Sequence, residues 1–254
     1  MLRKKYNLYR IKIWLKTIYY FVFSLKCNNT ALLMNGNDTV KEVLKNKKSI
    51  IRFGDGEFNI LSGKSIAYQM YSKELHEELE RIIKNYLKED EATYKLCLPT
   101  DFLKKSGFYL LKKRIYISSW SYTRYIFKKK YDENVSYGDA FLFAKGNEEI
   151  YKKLWITAKN VIFIHNNEKY ANYFEQKYGI NTKFIEIPKK NAFEEREKIY
   201  NKINIALREV DKEKLIIIVS AGPLGKILVE NLSNIGLVVY DTGHCWDDPL
   251  EAAL

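Results

Sequence analysis

The sequence predicts an α/β domain: a mainly parallel sheet with helices on both faces. Three observations carry this. Short continuous apolar runs recur at 161–164 and 215–219, and Ile50, Ile51 and Phe53 mark a strand at 48–53, which is how strands covered on both faces read. Stretches with helical apolar spacing separate them. Two glycine-containing loops, after Phe53 and after Val219, fall at the ends of predicted strands, where parallel sheets bind their ligands.

The elements follow in chain order. Thr39 to Glu42 forms a capping-box pattern, and Val40, Val43 and Leu44 give a short helix its apolar face. Residues 48–53 read as the first strand. Leu75, Leu79, Ile82, Ile83 and Tyr86 recur at helical spacing. Residues 95–98 read as a strand stopped by Pro99, and 102–130 as partly helical and rich in Tyr and Lys. Val161-Ile162-Phe163-Ile164 reads as a buried strand, followed by a helix carrying Tyr170, Tyr173 and Phe174. Residues 183–187 form another strand, before a long helix through Ile199, Ile203 and Leu207. Residues 215–219, a helix from Pro223 and residues 237–240 complete a βαβ unit. No repeat, low-complexity tract or interdomain linker interrupts the pattern.

The 254 residues, 46% hydrophobic and 29% charged, suit one sizeable globular domain rather than a disordered chain. No apolar stretch is long enough to span a bilayer as a helix. Cys27, Cys97 and Cys245 lie far apart with no Cys-x-x-Cys, which argues against a disulfide framework or structural zinc and fits a reducing compartment. The formal net charge is +12. A basic surface can attract nucleic acid, anionic lipid or phosphorylated substrates. The chain is also rich in Lys, Ile, Asn and Tyr, which AT-rich codons favour, so the charge alone selects no partner.

The most informative segment is Arg52-Phe53-Gly54-Asp55-Gly56-Glu57. In an extended or tightly turned segment, side chains two apart project the same way, so Asp55 and Glu57 can converge on one hard cation. Gly54 and Gly56 leave the backbone bare, and Arg52 adds a fixed positive charge. Such a set suits a metal-diphosphate group, because Mg²⁺ and Mn²⁺ take one or two carboxylates and complete their shells with phosphate and water. An Asp-Gly hairpin turn fits the local pattern equally well, although Phe58-Asn59-Ile60-Leu61 does not alternate as a return strand would.

Arg52-Phe53-Gly54-Asp55-Gly56-Glu57 resembles the signature of the GT-D fold glycosyltransferases, bacterial enzymes first catalogued as a domain of unknown function. Further segments agree in order. Ser65-Ile66-Ala67-Tyr68-Gln69 is similar to a Ser-Ile-Pro-Phe-Gln segment, and Cys97-Leu98-Pro99 to a Leu-Pro strand end. Ser118-Ser119-Trp120 with Arg124 resembles the family's Ser-Ser-Trp and Ser-Arg region. Pro188 with Asn191-Ala192-Phe193 resembles its Pro…Asn-Ala-Phe element. Ala221-Gly222-Pro223 with Lys226, then Asp241-Thr242-Gly243-His244, resembles its ending. The likeness runs from about residue 38 to 244. Two departures stand out. Ile164-His165-Asn166-Asn167 replaces a Glu-Gly segment, and Cys245-Trp246-Asp247-Asp248-Pro249 replaces an Asp-x-Glu-Tyr type of ending.

The resemblance implies a Rossmann-like GT-D fold and transfer of a sugar from a nucleotide-diphosphate donor, a UDP-sugar first among them. The acceptor would be a glycan, glycoprotein or lipid-linked molecule of bacterial surface glycan assembly. It implies Mn²⁺ or Mg²⁺ on Asp55 and Glu57, a catalytic set of Asp55, Glu57 and His244, and donor contacts from Arg52, Gly54, Gly56, Gln69, Arg124, Asn191, Gly222, Pro223 and Lys226. Bottom-up, Pro223 suits a first helical turn, and free N–H groups there can hold a phosphate. The loop is neither a Walker loop nor a dinucleotide fingerprint. His244 could bind metal, contact diphosphate or move a proton. His165 ends a strand without the family context, His76 reads as structural, and Asp139 is a reserve carboxylate. Rival readings are a nucleotide-dependent phosphotransferase, disfavoured by the missing Walker loop, and a non-catalytic basic protein binding nucleic acid or membrane, disfavoured by the intact carboxylates. No nucleic-acid partner is expected.

Residues 1–26 stand apart from the single catalytic domain at 27–254. Arg3, Lys4, Lys5, Arg10, Lys12 and Lys16 interleave with Leu8, Ile11, Trp14, Leu15 and Ile18, before Tyr19-Tyr20-Phe21-Val22-Phe23. That mixture suits an anionic membrane surface, with the apolar face running through Trp14, Ile18 and Phe21. A helix packed on the domain is the alternative. A signal peptide is not, since no small-residue cleavage site follows. The expected location is cytoplasmic, peripheral at the inner face of the membrane.

Overall fold

The computed structural model describes residues 2–25, 31–88, 92–131 and 134–250. Eight strands form one parallel sheet: β1 (Leu32–Leu33), β2 (Ser49–Arg52), β3 (Tyr94–Leu98), β4 (Ser136–Asp139), β5 (Asn160–His165), β6 (Asn181–Glu186), β7 (Leu215–Val219) and β8 (Val239–Asp241). Their spatial order is β1-β4-β3-β2-β8-β7-β5-β6. Two halves meet where β2 pairs with β8 through Ile50 and Tyr240. The last strand in sequence therefore sits at the centre of the sheet.

The helices are α1 (Leu2–Ser24), α2 (Gly36–Asn46), α3 (Asp55–Leu61), α4 (Lys73–Lys88), α5 (Thr100–Lys104), α6 (Gly107–Lys112), α7 (Ile117–Lys130), α8 (Glu148–Tyr151), α9 (Lys169–Tyr178), α10 (Arg196–Glu209) and α11 (Pro223–Asn234). Strand alternation sorts the core into two layers. Ile51, Ile162, Ile164, Ile217 and Val219 face Leu75, Leu79, Ile199, Ile203, Leu224 and Leu228. Ile50, Val161, Phe163, Ile216 and Ile218 face Val40, Val43, Ala171, Phe174 and Trp155.

Several boundaries differ from the sequence reading. α2 starts at Gly36, because Asn35 Oδ1 accepts the Asp38 N–H at 2.9 Å. Thr39 is not the cap; its hydroxyl donates to the Asn35 carbonyl at 2.8 Å. β1 and β4 were not foreseen. The Gly54–Glu57 loop is in fact the start of a helix.

α1 packs one face on α7. Tyr20 meets Tyr122 and Tyr125, and Phe21 meets Trp120 edge-on at 5.8 Å. Phe21 thus points inward, contrary to its expected place on the outer face, while Ile11, Trp14, Leu15, Ile18 and Val22 are exposed. Met1, Lys26 and Cys27 lie outside the described residues, as do the side chains of 2–10, Lys12 and Ile13. No described helix is long and apolar enough to cross a membrane. Cys97 and Cys245 are free, buried thiols.

Candidate active site

β2 ends in buried Phe53 and delivers the chain to α3, with Gly54 as N-cap in extended conformation. Gly54 has no side chain to cap the helix, so Glu57 closes the turn: its Oε2 accepts the Gly54 N–H at 2.8 Å. Glu57 is only 4% exposed. Its other oxygen lies 3.0 Å from Lys226 Nζ, and Lys226 Nζ lies 3.1 Å from Asp241 Oδ2. Lys226 also donates to the Gly222 carbonyl at 3.1 Å. Burial alone would lower the Lys226 ammonium, but Asp241 and Glu57 outweigh it and hold its pKa above the ordinary value.

Arg52 joins this network from β2. Its backbone N–H donates to Asp241 Oδ2 at 3.1 Å, its Nε to the Asp241 carbonyl at 2.9 Å and its Nη1 to the Ala140 carbonyl at 2.8 Å. The Gly243 N–H donates to Asp241 Oδ1 at 3.2 Å. Gly243 has φ +51°, and a Cβ there would overlap the Arg52 guanidinium. Two buried carboxylates, Glu57 and Asp241, thus share the Lys226 ammonium, and with the Arg52 bonds they lock β2, β8 and α11 together. The role of Asp241, fully buried at the end of β8, went unassigned in the sequence because it depends on where Lys226 lies.

The N-terminus of α11 opens onto the same place. Gly222 caps it with φ +54° and no side-chain bond, so N–H groups of the first turn remain available to an anion. A Cβ on Gly222 would sit 2.8 Å from the Tyr68 ring. Tyr68 packs edge-on against His244, ring centroids 5.8 Å apart. Gln69 and Asn191 hold Tyr68 in place. Gln69 Nε2 lies 3.2 Å from each Glu194 oxygen, and its Oε1 accepts the Phe193 N–H at 3.3 Å. Asn191 donates its N–H to the Tyr68 carbonyl at 2.8 Å and accepts the Met70 N–H at 2.9 Å. Gln69 borders the cleft but is 2% exposed, and Asn191 does not line it.

Past β8, His244 Nδ1 lies 3.3 Å from Asp247 Oδ1. The hydrogen bond to Asp247 raises the His244 pKa against the opposing effect of burial, and the same bond lowers that of Asp247. His165, at the end of β5, also lines the cleft. Its Nδ1 accepts the Asn167 N–H at 3.1 Å, which leaves the neutral ring's proton on Nε2. Burial lowers its pKa.

The carboxyl ends of β2–β8 enclose a cleft of about 560 Å³, a size typical of small-molecule sites. Arg52, Gly54, Asp55, Gly56, Glu57, Gly222, Pro223, Lys226 and His244 all border it, although they come from three separate loops.

The structure corrects three expected roles. Asp55 and Glu57 do not converge, because both lie in the first turn of α3, where side chains two apart diverge. Both Glu57 oxygens are engaged, and all three Lys226 donors have partners, so neither side chain is free for a ligand. Arg124 is 1% exposed and away from the cleft. It donates to the carbonyls of Ser24, Phe102 and Leu103 at 3.0, 2.7 and 3.3 Å, and to that of Lys105. Asp139 accepts from Thr100 Oγ1 at 3.0 Å and the Phe141 N–H at 2.9 Å, a strand-end brace.

Among the described residues, no three His, Cys, Asp or Glu side chains gather as a metal cluster. Asp55 remains: exposed at the cleft, it forms no ion pair among the described residues. Enclosure by the cleft walls and then the Glu57 charge raise its pKa. One free carboxylate beside an uncapped helix N-terminus fits a Mg²⁺ or Mn²⁺ ion whose other ligands are phosphate and water.

Residues 50–249 match the family model described as glycosyltransferase GT-D fold. Glycosyltransferase GlyD of Streptococcus pneumoniae serotype 4 is 27% identical over 232 residues, covering 82% of this chain and 26% of GlyD. The probable glycosyl transferase Gly of Streptococcus gordonii is 25% identical over 219 residues, covering 80% of this chain and 30% of Gly. The chain therefore spans less than a third of the length of either relative. A solved domain of unknown function 1792, described as having a distinct glycosyltransferase fold, superposes with a TM-score of 0.70 at 22% identity, covering 90% of this chain and 83% of that one. A DUF1792 glycosyltransferase from Streptococcus sanguinis gives 0.66 at 23% identity, with 86% and 83% covered. At these identities the likeness to the solved structures is one of fold.

Proposed function

The chain belongs to the GT-D fold glycosyltransferase family, and from that premise we propose that it transfers a sugar from a nucleotide diphosphate donor, a UDP-sugar first among them, to a glycan, glycoprotein or lipid-linked acceptor. One observation carries the reading: Asp55, His244 and the uncapped start of α11 border one cleft at the carboxyl ends of a parallel sheet. Breaking the anomeric C–O bond leaves negative charge on the departing diphosphate. Asp55 is the side chain that would hold a Mn²⁺ or Mg²⁺ ion, which would supply Lewis-acid stabilisation of that charge. The α11 N–H groups receive phosphate oxygens, and the His244 imidazolium, oriented by Asp247, donates to the leaving group. Lys226 fixes this frame by neutralising Glu57 and Asp241, and Arg52 by binding the Asp241 and Ala140 carbonyls.

Nucleotide binding is the direct test. UDP with Mn²⁺ at a hundredfold over its dissociation constant should stabilise the protein by about 2.7 kcal/mol. At roughly 2–4 °C per kcal/mol for a chain of this size, the melting temperature should rise by ~5–10 °C. A nucleotide-sugar panel should show metal-stimulated release of UDP even without acceptor. No shift with any nucleotide diphosphate would overturn the donor assignment.

The pH profile separates the two catalytic groups. Asp55 must be ionised to hold the cation, so kcat/KM should fall as pH drops through its raised pKa. His244 must be protonated to donate, so kcat/KM should fall as pH rises through its raised pKa. Asp247→Asn removes the charge that favours the imidazolium. It should move the alkaline limb to lower pH and leave the acid limb in place. An unmoved alkaline limb would remove His244 from this role.

The same reading makes the enzyme cytoplasmic and peripheral to the inner membrane face. Supporting it, the exposed row of Ile11, Trp14, Leu15, Ile18 and Val22 on α1 lies in a segment with no acidic residue before Asp38.

A further inference from the structure

A second basic, aromatic surface lies at the rim of the cleft. Residues 102–116 contain five cations, Lys104, Lys105, Lys112, Lys113 and Arg114, and no acid. None of the five forms an ion pair among the described residues. Lys104, Lys112, Lys113 and Arg114 are exposed, and Lys105 and Lys113 lie over the Tyr109 ring at 5.4 and 5.8 Å. Phe108 is 65% exposed and Tyr116 is 82% exposed. Large aromatics standing out among unpaired cations are costly in water but suit a headgroup layer, where rings enter the acyl boundary and cations meet phosphates.

This surface is joined to α1. Leu25, just past α1, packs against Gly107 at the start of α6. Arg124 binds the Ser24 carbonyl at the end of α1 and those of Phe102, Leu103 and Lys105 around α5. The same segment reaches the cleft, which Phe102, Ile115 and Ser119 line.

We propose that the α5–α6 surface is a second contact with an anionic lipid bilayer, clamped to α1 through Arg124, which sets the rim of the cleft at the membrane. Five cations stand against the single carboxylate of Asp101 at the start of α5, the aromatics are exposed, and the surface adjoins the exposed apolar row of α1. The proposal rests on the reading of α1 as a membrane-surface helix.

Three variants of the full chain test it against vesicles of phosphatidylcholine with and without phosphatidylglycerol. The first is Lys112→Glu with Lys113→Glu and Arg114→Glu. The second is Phe108→Ser with Tyr116→Ser. The third, on α1, is Trp14→Glu with Ile18→Glu. Each cation near an anionic surface contributes about 1 kcal/mol, or about fivefold. The charge variant should therefore lose at least about a hundredfold in affinity for anionic vesicles at low salt, and the difference should shrink as salt rises. The aromatic variant should lose affinity by about tenfold at any salt. Stabilisation by UDP should be unchanged in both, which shows the fold and cleft to be intact. If only the α1 variant loses binding, the α5–α6 proposal is wrong and the α1 reading stands. If only the α5–α6 variants lose it, the α1 reading fails and the two-contact proposal fails with it. If all three bind like wild type, both fail. Loss of a concentration-dependent dimer in the aromatic variant, with vesicle binding intact, would assign the surface to a second copy and overturn the proposal.

Discussion

Lys226→Met should destabilise the protein by about 3–5 kcal/mol, the range for removing one partner from a buried ion pair. Glu57 is 4% exposed and Asp241 fully buried, so no solvent reaches them to replace the ammonium 3.0 and 3.1 Å away. Methionine fills similar volume, so the loss is electrostatic rather than a cavity. Urea denaturation measures it. Pairing Lys226→Met with Glu57→Gln should cost less than the two single losses added, because the residues share one network. A Lys226→Met variant within about 0.5 kcal/mol of wild type, the usual span of an exposed substitution, would mean that the carboxylates are not trapped.

Asp55→Asn should lower kcat by about 10²–10³-fold, as removal of one preorganised charge-stabilising group does, with an unchanged melting temperature. Its carboxylate is exposed and pairs with no cation among the described residues, so the fold does not depend on it. Glu57→Gln should behave differently. The sequence suggests that both substitutions spare the fold, but the Glu57 carboxylate caps Gly54 and neutralises Lys226. That substitution should cost stability of about 1–3 kcal/mol and reduce turnover through misplacement of α3. Raising Mn²⁺ should restore part of the Asp55→Asn activity and none of the Glu57→Gln deficit. Wild-type turnover in excess chelator, or full activity in Asp55→Asn, would end the metal-holding role.

The strands that could be read were those buried on both faces. Val161-Ile162-Phe163-Ile164 and the run at 215–219 announce themselves by composition. β4, Ser-Tyr-Gly-Asp, carries no apolar run, and β1 is two residues long; neighbouring strands rather than their own composition define both. α3 was hidden because two glycines in four residues read as a loop. Glu57 supplies the cap, and burial of Phe58 and Ile60 supplies the tertiary support. Much of the cleft was legible for a related reason: glycine loops at strand ends mark the carboxyl edge of a parallel sheet. Partnership was not legible. Whether Lys226 meets a phosphate or two buried carboxylates, and whether Arg124 faces a ligand or four carbonyls, depends on contacts across the whole chain. His165 was set aside on local context, yet strand order brings β5 beside β7 and its last residue into the cleft.

The central place of β8 bears on how the protein is made. Arg52 reaches its carboxylate partner 189 residues later. A nascent chain that has emerged only to residue 230 can align β2, β3 and β4, and separately β5, β6 and β7. It lacks the strand that joins the two sets. Until residues 239–241 arrive, two partial sheets present unpaired edges at the future seam, which invite pairing with the wrong chain. At the usual 5–20 residues per second, the interval from β2 to β8 lasts on the order of ten to forty seconds. Chaperone demand should concentrate in that interval, and interruption of translation before β8 should yield aggregates rather than a partly active enzyme.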